Sequence, residues 1–290
     1  MPTSGSPTGR RRRLAAELRR LRARSGKAAN EVAGELGWSK AKISRYELAQ
    51  SGLKPSDVKS LLDYYGVRGT HRNQLMALAE EATKKGWWEE YSDILADEYK
   101  AFIALEAEAT TMLHWQVNVV PGLLQTEQYA RHILLGLQEV ATVPPTVVER
   151  RVETRLIRQQ RLSRDPPLQL NAVLDESVLY RRRGDHSVMQ AQLQQLAEAS
   201  DLPNINVQVL PLNRSHRLAV ESFVILQFGE EHETTLHDVV NTEILNSELY
   251  VEGETDTYEF RLAFEHLVKE SLTPAESRDL ILRTAREMWA

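Results

Sequence analysis

The side chains with the clearest capacity for chemistry lie between positions 39 and 45. Ser39, Lys40, Lys42, Ser44 and Arg45 all carry hydrogen-bond donors, and three of them are cations. Cationic and hydroxyl side chains bind DNA phosphates, and Arg and Lys also donate to the edge of guanine in the major groove. This set of residues therefore favours recognition of nucleic acid.

Two short helices joined by a tight turn are expected to present these donors. Gly37 predicts the turn, and Ser39 is suited to the N-cap of the helix that follows. With Ile43 and Tyr46 facing inward, the donors lie on the outer face of that helix, as in a helix-turn-helix. Apolar periodicity predicts helices over 10–25, 28–36, 40–48, 56–65 and 70–83.

The DNA backbone is expected to be held by Ser39 and by four more residues of this region, namely Arg19, Arg20, Lys27 and Asn30. The charge distribution supports the same partner. Residues 1–60 have a net charge of +9, whereas the rest of the chain has a net charge of −14. A basic module joined to an acidic body predicts a polyanion partner for the first part alone, and we expect a double-stranded DNA operator.

The motif residues of the basic module are LRRLR at 18–22, EVA at 31–33, LGWS at 36–39 and KISRYE at 42–47. With them, residues 10–66 resemble the Xre-type, lambda-repressor-like helix-turn-helix of bacterial transcription regulators. The resemblance implies that Arg45 contacts phosphate or base and that Glu47 braces the fold. Where that family commonly has Gln at the start of the second helix, this chain has Ala28, Ala29 and Asn30, and Asn30 is expected to replace it as a contact.

The pattern along the whole chain predicts an α+β protein with four regions. They are a disordered arm over 1–9, an all-α five-helix DNA-binding domain over 10–83, a linker over 84–91 and a larger α+β domain over 92–290. In the larger domain we predict strands over 110–119, 168–174, 206–210, 223–228, 236–240 and 243–251. Helices are predicted over 92–107, 127–137, 145–162, 188–199, 255–269 and 274–288.

The larger domain carries its own motif residues. They are LEAEA at 105–109, VPGLLQT at 120–126 with YAR at 129–131, RQ at 158–159 with Leu162, VLDE at 173–176, QL at 192–193 and LTP at 272–274 with ES at 276–277. They resemble the uncharacterised carboxy-terminal domain of WhiJ-like actinobacterial regulators. The resemblance implies a domain that senses a signal or binds a partner, with a small acidic protein often encoded alongside.

Catalytic motifs are missing from the sequence, and we expect no enzyme activity and no cofactor. The chain contains neither a G-x-x-x-x-G-K-[ST] phosphate loop nor a G-x-G-x-x-G fingerprint, and it has no cysteine. His232 and His237 lie five residues apart, which separates them on a helix and disfavours a zinc site. Asp175 and Glu176, being adjacent, point to opposite faces of a strand.

Aromatic residues of the larger domain are the candidates for a ligand pocket, Trp115 and Tyr129 first among them. Core and inter-domain packing is the alternative, and the favoured one, because aromatic side chains dominate burial in most domains.

Together these features predict a sequence-specific transcription regulator. We expect a homodimer, since one such module reads only a few base pairs. The alternative is an antitoxin-like protein that neutralises a small partner and binds DNA for autoregulation. After Arg10–Arg13 the sequence is charged again before a signal-peptide core could form, and no apolar run predicts a membrane span. We therefore expect a cytoplasmic, nucleoid-associated protein without membrane contact.

Overall fold

The computed structural model describes residues 9–49, 51–83, 86–139, 141–214, 216–229, 237–244 and 247–290. The chain divides into two compact units. The first draws on Met1–Ser92, Ala96–Ala109 and Phe228–Leu236, and the second on Asp93–Leu95, Thr110–Gln227 and His237–Ala290. The predicted arm, apart from Gly9, lies outside the described residues, as do His232 and Leu236.

Six α-helices form the described part of the first unit. They are α1 (Gly9–Ser25), α2 (Ala29–Glu35), α3 (Lys40–Glu47), α4 (Pro55–Tyr64), α5 (Gly69–Glu81) and α6 (Asp97–Glu106). Leucine, valine and isoleucine side chains of α1 to α5, among them Leu14, Ile43 and Leu62, meet in one core. This confirms the predicted helical fold of the amino-terminal region.

The helix predicted over 92–107 begins later than expected. That helix is α6, which starts at Asp97, and a short 3-10 helix occupies Trp87–Tyr91. Ala96 is extended, and Asp97 and Glu98 form the acidic first turn that favours a helix start. Helix α6 belongs to the first unit, and the predicted boundary at 84–91 stays a prediction.

A six-stranded mixed sheet forms the centre of the second unit. Its strands are β1 (Thr111–Gln116), β2 (Gln169–Asp175), β3 (Ile205–Leu210), β4 (Phe223–Gln227), β5 (Val239–Ile244) and β6 (Ser247–Glu252), in the order β3-β2-β1-β4-β5-β6. The three strands β1, β2 and β3 are parallel, whereas β4, β5 and β6 join by antiparallel pairing. The α+β prediction is thereby confirmed.

The last two strands depart from the predicted bounds. Residues 243 and 244 belong to β5 rather than to the following strand, because Glu243 and Ile244 pair with Glu248 and Ser247 of β6. Polar and apolar residues are mixed along both strands, so the composition of the segment does not show where one strand ends and the next begins.

The described residues of the second unit also form six α-helices. They are α7 (Glu127–Leu135), α8 (Pro145–Gln159), α9 (Ser177–Tyr180), α10 (His186–Ala199), α11 (Glu254–Glu270) and α12 (Pro274–Met288). On one sheet face Trp115, Val173 and Ile225 pack with Phe264 and Leu267 of α11. No described helix is long and apolar enough to cross a membrane. The described residues also contain no group of three or more His, Asp or Glu side chains placed to hold a metal ion.

Candidate DNA-binding surface

The turn between α2 and α3 is closed by local hydrogen bonds. Gly37 has a φ of +65°, a conformation that an L side chain rarely adopts, and the Trp38 amide donates to the Ala33 carbonyl at 2.7 Å. Ser39 then caps α3, its hydroxyl oxygen accepting from the Lys42 amide at 3.2 Å. The serine and the glycine therefore fix the direction in which α3 leaves the turn.

Helix α3 has one buried and one exposed face. Ile43 and Tyr46 are 1% and 5% exposed and lie in the core of the first unit. Lys40, Ala41 and Arg45 are exposed on the other side of the helix. Among the described residues no carboxylate pairs with Lys40 or Arg45, so both cations are available to an anionic partner.

The third cation of α3 is engaged within the fold. The Lys42 ammonium lies 2.9 Å from the Asp57 carboxylate and 3.7 Å from the centre of the Trp38 ring. The Tyr46 hydroxyl donates to the same Asp57 oxygen at 2.5 Å. Burial opposes ionisation of Asp57, but the hydrogen bonds from Tyr46 and Lys42 outweigh it and lower the pKa of that carboxyl. This network attaches α3 to α4.

Replacing Lys42 by methionine is expected to leave the salt dependence of DNA binding unchanged. The methionine keeps the apolar stem but removes a partly buried ion pair, which should cost about 1 kcal/mol of folding free energy. Since the ammonium is paired with Asp57, the variant should lose no phosphate contact. The slope of log affinity against log salt concentration checks this. It is measured by fluorescence anisotropy on a DNA duplex that carries the operator. A slope shallower by about 1 would instead place Lys42 on a phosphate.

Arg20 is also engaged within the fold. Its guanidinium donates to both Glu17 carboxylate oxygens, at 2.7 and 2.6 Å, and His71 of α5 lies 3.0 Å from the same carboxylate. The Glu17 side chain is only 1% exposed. Arg19, the preceding residue, is exposed. Arg19 is therefore exposed, whereas Arg20 is paired with a buried carboxylate. Contact of either residue with phosphate stays a prediction.

Helix α1 also holds the end of α3. The Arg22 guanidinium donates to the two Glu47 oxygens at 2.7 and 2.9 Å, a bidentate geometry that fixes both side chains. The hydrogen bonds to Glu47 raise the pKa of Arg22 above its usual value. Glu47 thus braces the fold, as the resemblance implied. The local sequence pattern assigns no role to Arg22, because its partner is 25 residues away.

The remaining predicted contacts lie at the surface near the turn. Lys27, Asn30 and Ser39 are exposed, and Ser44 is half-buried. The Lys27 carbonyl accepts from Arg22 at 3.1 Å, which ties the loop before α2 to α1. The structure thus gathers an exposed set of donors on α2, α3 and the loop before α2.

Comparison with known families gives two matches. Residues 13–75 match a model described as a helix-turn-helix domain. Residues 99–283 match a model described as a domain of unknown function, DUF5753, and this match covers more than half of the chain. The chain belongs to the DUF5753 family. No curated protein and no solved structure matches it. The helix-turn-helix match indicates DNA binding and a role in transcription regulation.

Within the DUF5753 match, both aromatic candidates for a ligand pocket lie in the interior. Trp115 is 3% exposed and its indole N–H donates to the Val220 carbonyl at 3.2 Å. Tyr129 is fully buried, and its hydroxyl oxygen accepts from the Val120 amide at 3.3 Å. Their polar atoms are bonded within the fold, which agrees with the core-packing alternative. Ligand contact by these residues stays a prediction.

Two buried glutamines explain part of the motif pattern of the DUF5753 domain. Gln125 donates to the Val120 carbonyl at 2.6 Å. Gln192 of α10 accepts from the Thr126 amide at 2.7 Å and donates to the Leu124 carbonyl at 2.8 Å. Buried backbone groups need such partners. The motif residues at 120–126 and 192 therefore hold this loop against α10.

Proposed function

We propose that this protein is a sequence-specific transcription regulator that binds operator DNA through the exposed face of α3. The observation that carries the proposal is the division of this helix, in which Ile43 and Tyr46 are buried while Lys40 and Arg45 are exposed. A recognition helix needs such a division, because one face must pack and the other must reach base edges. The net charge of +9 over residues 1–60 adds attraction to phosphate.

The proposed regulator acts as a homodimer in the cytoplasm, associated with the nucleoid. A two-fold axis would place two α3 helices on half-sites about 34–36 Å apart. The DUF5753 domain would sense a signal or bind a small acidic protein, and the proposal includes no catalytic activity. An inverted repeat in the selected operator, together with a dimer mass in sedimentation, would support this assembly.

Genome-wide immunoprecipitation of the tagged protein tests the proposal. Sharp peaks that share a palindrome are expected for the wild type and should be lost when Lys40 and Arg45 are both changed to alanine. A matched control changes the exposed Arg181 and Arg182 of the second unit and removes the same charge. Diffuse signal in the wild type would contradict the proposal and favour the antitoxin-like alternative, which a pull-down with the full chain would then examine.

Replacing Arg45 alone by alanine is expected to weaken binding to the operator found by this immunoprecipitation. The expected loss is about 1–3 kcal/mol, or roughly 5- to 150-fold. The change removes an exposed cation from the outer face of α3 without disturbing a buried contact. Arg68→Ala, which removes another exposed cation of the same unit, is the control and should retain affinity. Equal affinities of the Arg45→Ala variant and the wild type would remove Arg45 from the interface.

A further inference from the structure

Two chain segments that adjoin the sheet belong to the first unit, which contains the helix-turn-helix and is called the helix-turn-helix unit below. Residues Ala96–Ala109 lead into β1, and Phe228–Leu236 follow β4. The two strands are paired at Thr111 and Gln227, and the preceding amide of Thr110 donates to the Gln227 carbonyl at 2.9 Å. Both segments therefore join the sheet at the same end of one antiparallel pair.

The first turns of α1 contact both segments. Arg10 lies 3.0 Å from the Glu108 carboxylate, and the Arg12 guanidinium carbon lies 5.7 Å from the centre of the Phe228 ring. Arg12 and Arg13 are 9% and 6% exposed. Burial lowers the pKa of Arg13, and the negative charge of Glu108 opposes that effect. Arg11 donates to the Ala82 carbonyl at 3.4 Å, so all four arginines of the run have contacts inside the unit.

The far end of the same helix holds the recognition helix. Arg22 of α1 is bidentate to Glu47 at the end of α3, while Leu14 and Leu18 anchor the middle of α1 in the core. Helix α1 has 17 residues, which corresponds to a rod of roughly 25 Å. Rigid secondary elements are one carrier of coupling between distant sites, and α1 connects these two sets of contacts.

We propose that α1 couples the six-stranded sheet to the recognition helix. The contacts of Arg10 with Glu108 and of Arg12 with Phe228 are the ones through which the two segments act on α1. The proposal rests on the proposed function, since it assigns the route by which the carboxy-terminal domain would control DNA binding. Coupling of this kind is reciprocal, so DNA bound at α3 must also affect β1 and β4, the strands that adjoin the two segments.

Hydrogen exchange of the full chain, with and without the selected operator duplex, measures that reciprocal effect. In the wild type, DNA should slow exchange in peptides from α3 and should change exchange in β1 and β4 by about fivefold or more. Glu108→Gln and Arg12→Met should keep the protection of α3 but reduce the change in β1 and β4 to less than about twofold. Glu89→Gln, at an exposed position of the 3-10 helix, is the matched control and should behave as the wild type.

The outcomes separate the two proposals. The coupling route would be overturned, with DNA binding left intact, if DNA did not change hydrogen exchange of β1 and β4 in the wild type. The same would follow if both variants showed a change as large as that of the wild type. A wild type whose α3 peptides gain no protection at saturating duplex would overturn the proposed function itself. Two variants with different chemistry guard against a folding defect, because Glu108→Gln is isosteric and Arg12→Met keeps the packed stem.

Discussion

Replacing Arg20 with alanine is expected to destabilise the helix-turn-helix unit by about 3 kcal/mol. The variant removes both guanidinium hydrogen bonds from the carboxylate of Glu17, which is 1% exposed. Removing one member of a buried ion pair costs about 3–5 kcal/mol, since the other charge stays buried. The free energy of opening, measured by hydrogen exchange at the α4 amides of the full chain, gives the value.

Arg19→Ala is the matched control for that measurement. It removes the same side chain from the neighbouring, exposed position, and a surface change of this kind costs less than about 0.5 kcal/mol. Its expected effect is on DNA affinity instead. Equal stabilities of the two variants would contradict the assigned role of the Arg20 ion pair.

Acidification from pH 6.5 towards pH 4 is expected to weaken folding through His114. Burial, followed by the positive charge of Arg158, lowers the pKa of this histidine from 6.5 to about 4. The unfolded chain takes up the proton near pH 6.5, whereas the folded chain does so only near pH 4. Stability present above pH 6.5 is therefore lost as the pH falls through this window, by up to about 3 kcal/mol.

Chemical denaturation of the full chain at several pH values checks the effect of His114. His114→Gln, which cannot take up a proton, should show a smaller loss of stability between pH 6.5 and pH 4. His132→Gln removes an exposed histidine of the same unit and serves as the control. If His114→Gln and the wild type lost equal stability on acidification, the histidine would not be the cause.

The helix-turn-helix could be predicted because its signals are local. Gly37 at positive φ, Ser39 at the N-cap and the inward pair of α3 lie within ten residues of one another, so the sequence alone contains the whole pattern. Most strands were also predictable, because they are short apolar runs bounded by polar and turn residues. Their order in the sheet was not, since β1 pairs with β4 across about a hundred residues.

The sequence does not separate the roles of the individual cations, and their contacts with DNA stay predictions. Lys40 and Lys42 look alike in sequence, but only Lys42 reaches Asp57. Arg19 and Arg20 likewise differ only because the Arg20 side chain turns towards Glu17 and His71. Which cation is exposed depends on the packing of α1 against α5 and of α3 against α4. That packing is a tertiary property, and a count of charges does not contain it.

The contact between Arg12 and Phe228 has a consequence for synthesis of the chain. The two residues are about 200 positions apart, and a ribosome adds about 5–20 residues per second. Helices α1 to α5 end at Glu81, so they can associate roughly 7 to 30 s before Phe228 has been added. A chain released before Phe228 has been added would contain the associated helices α1 to α5 but would lack the contact between Arg12 and Phe228.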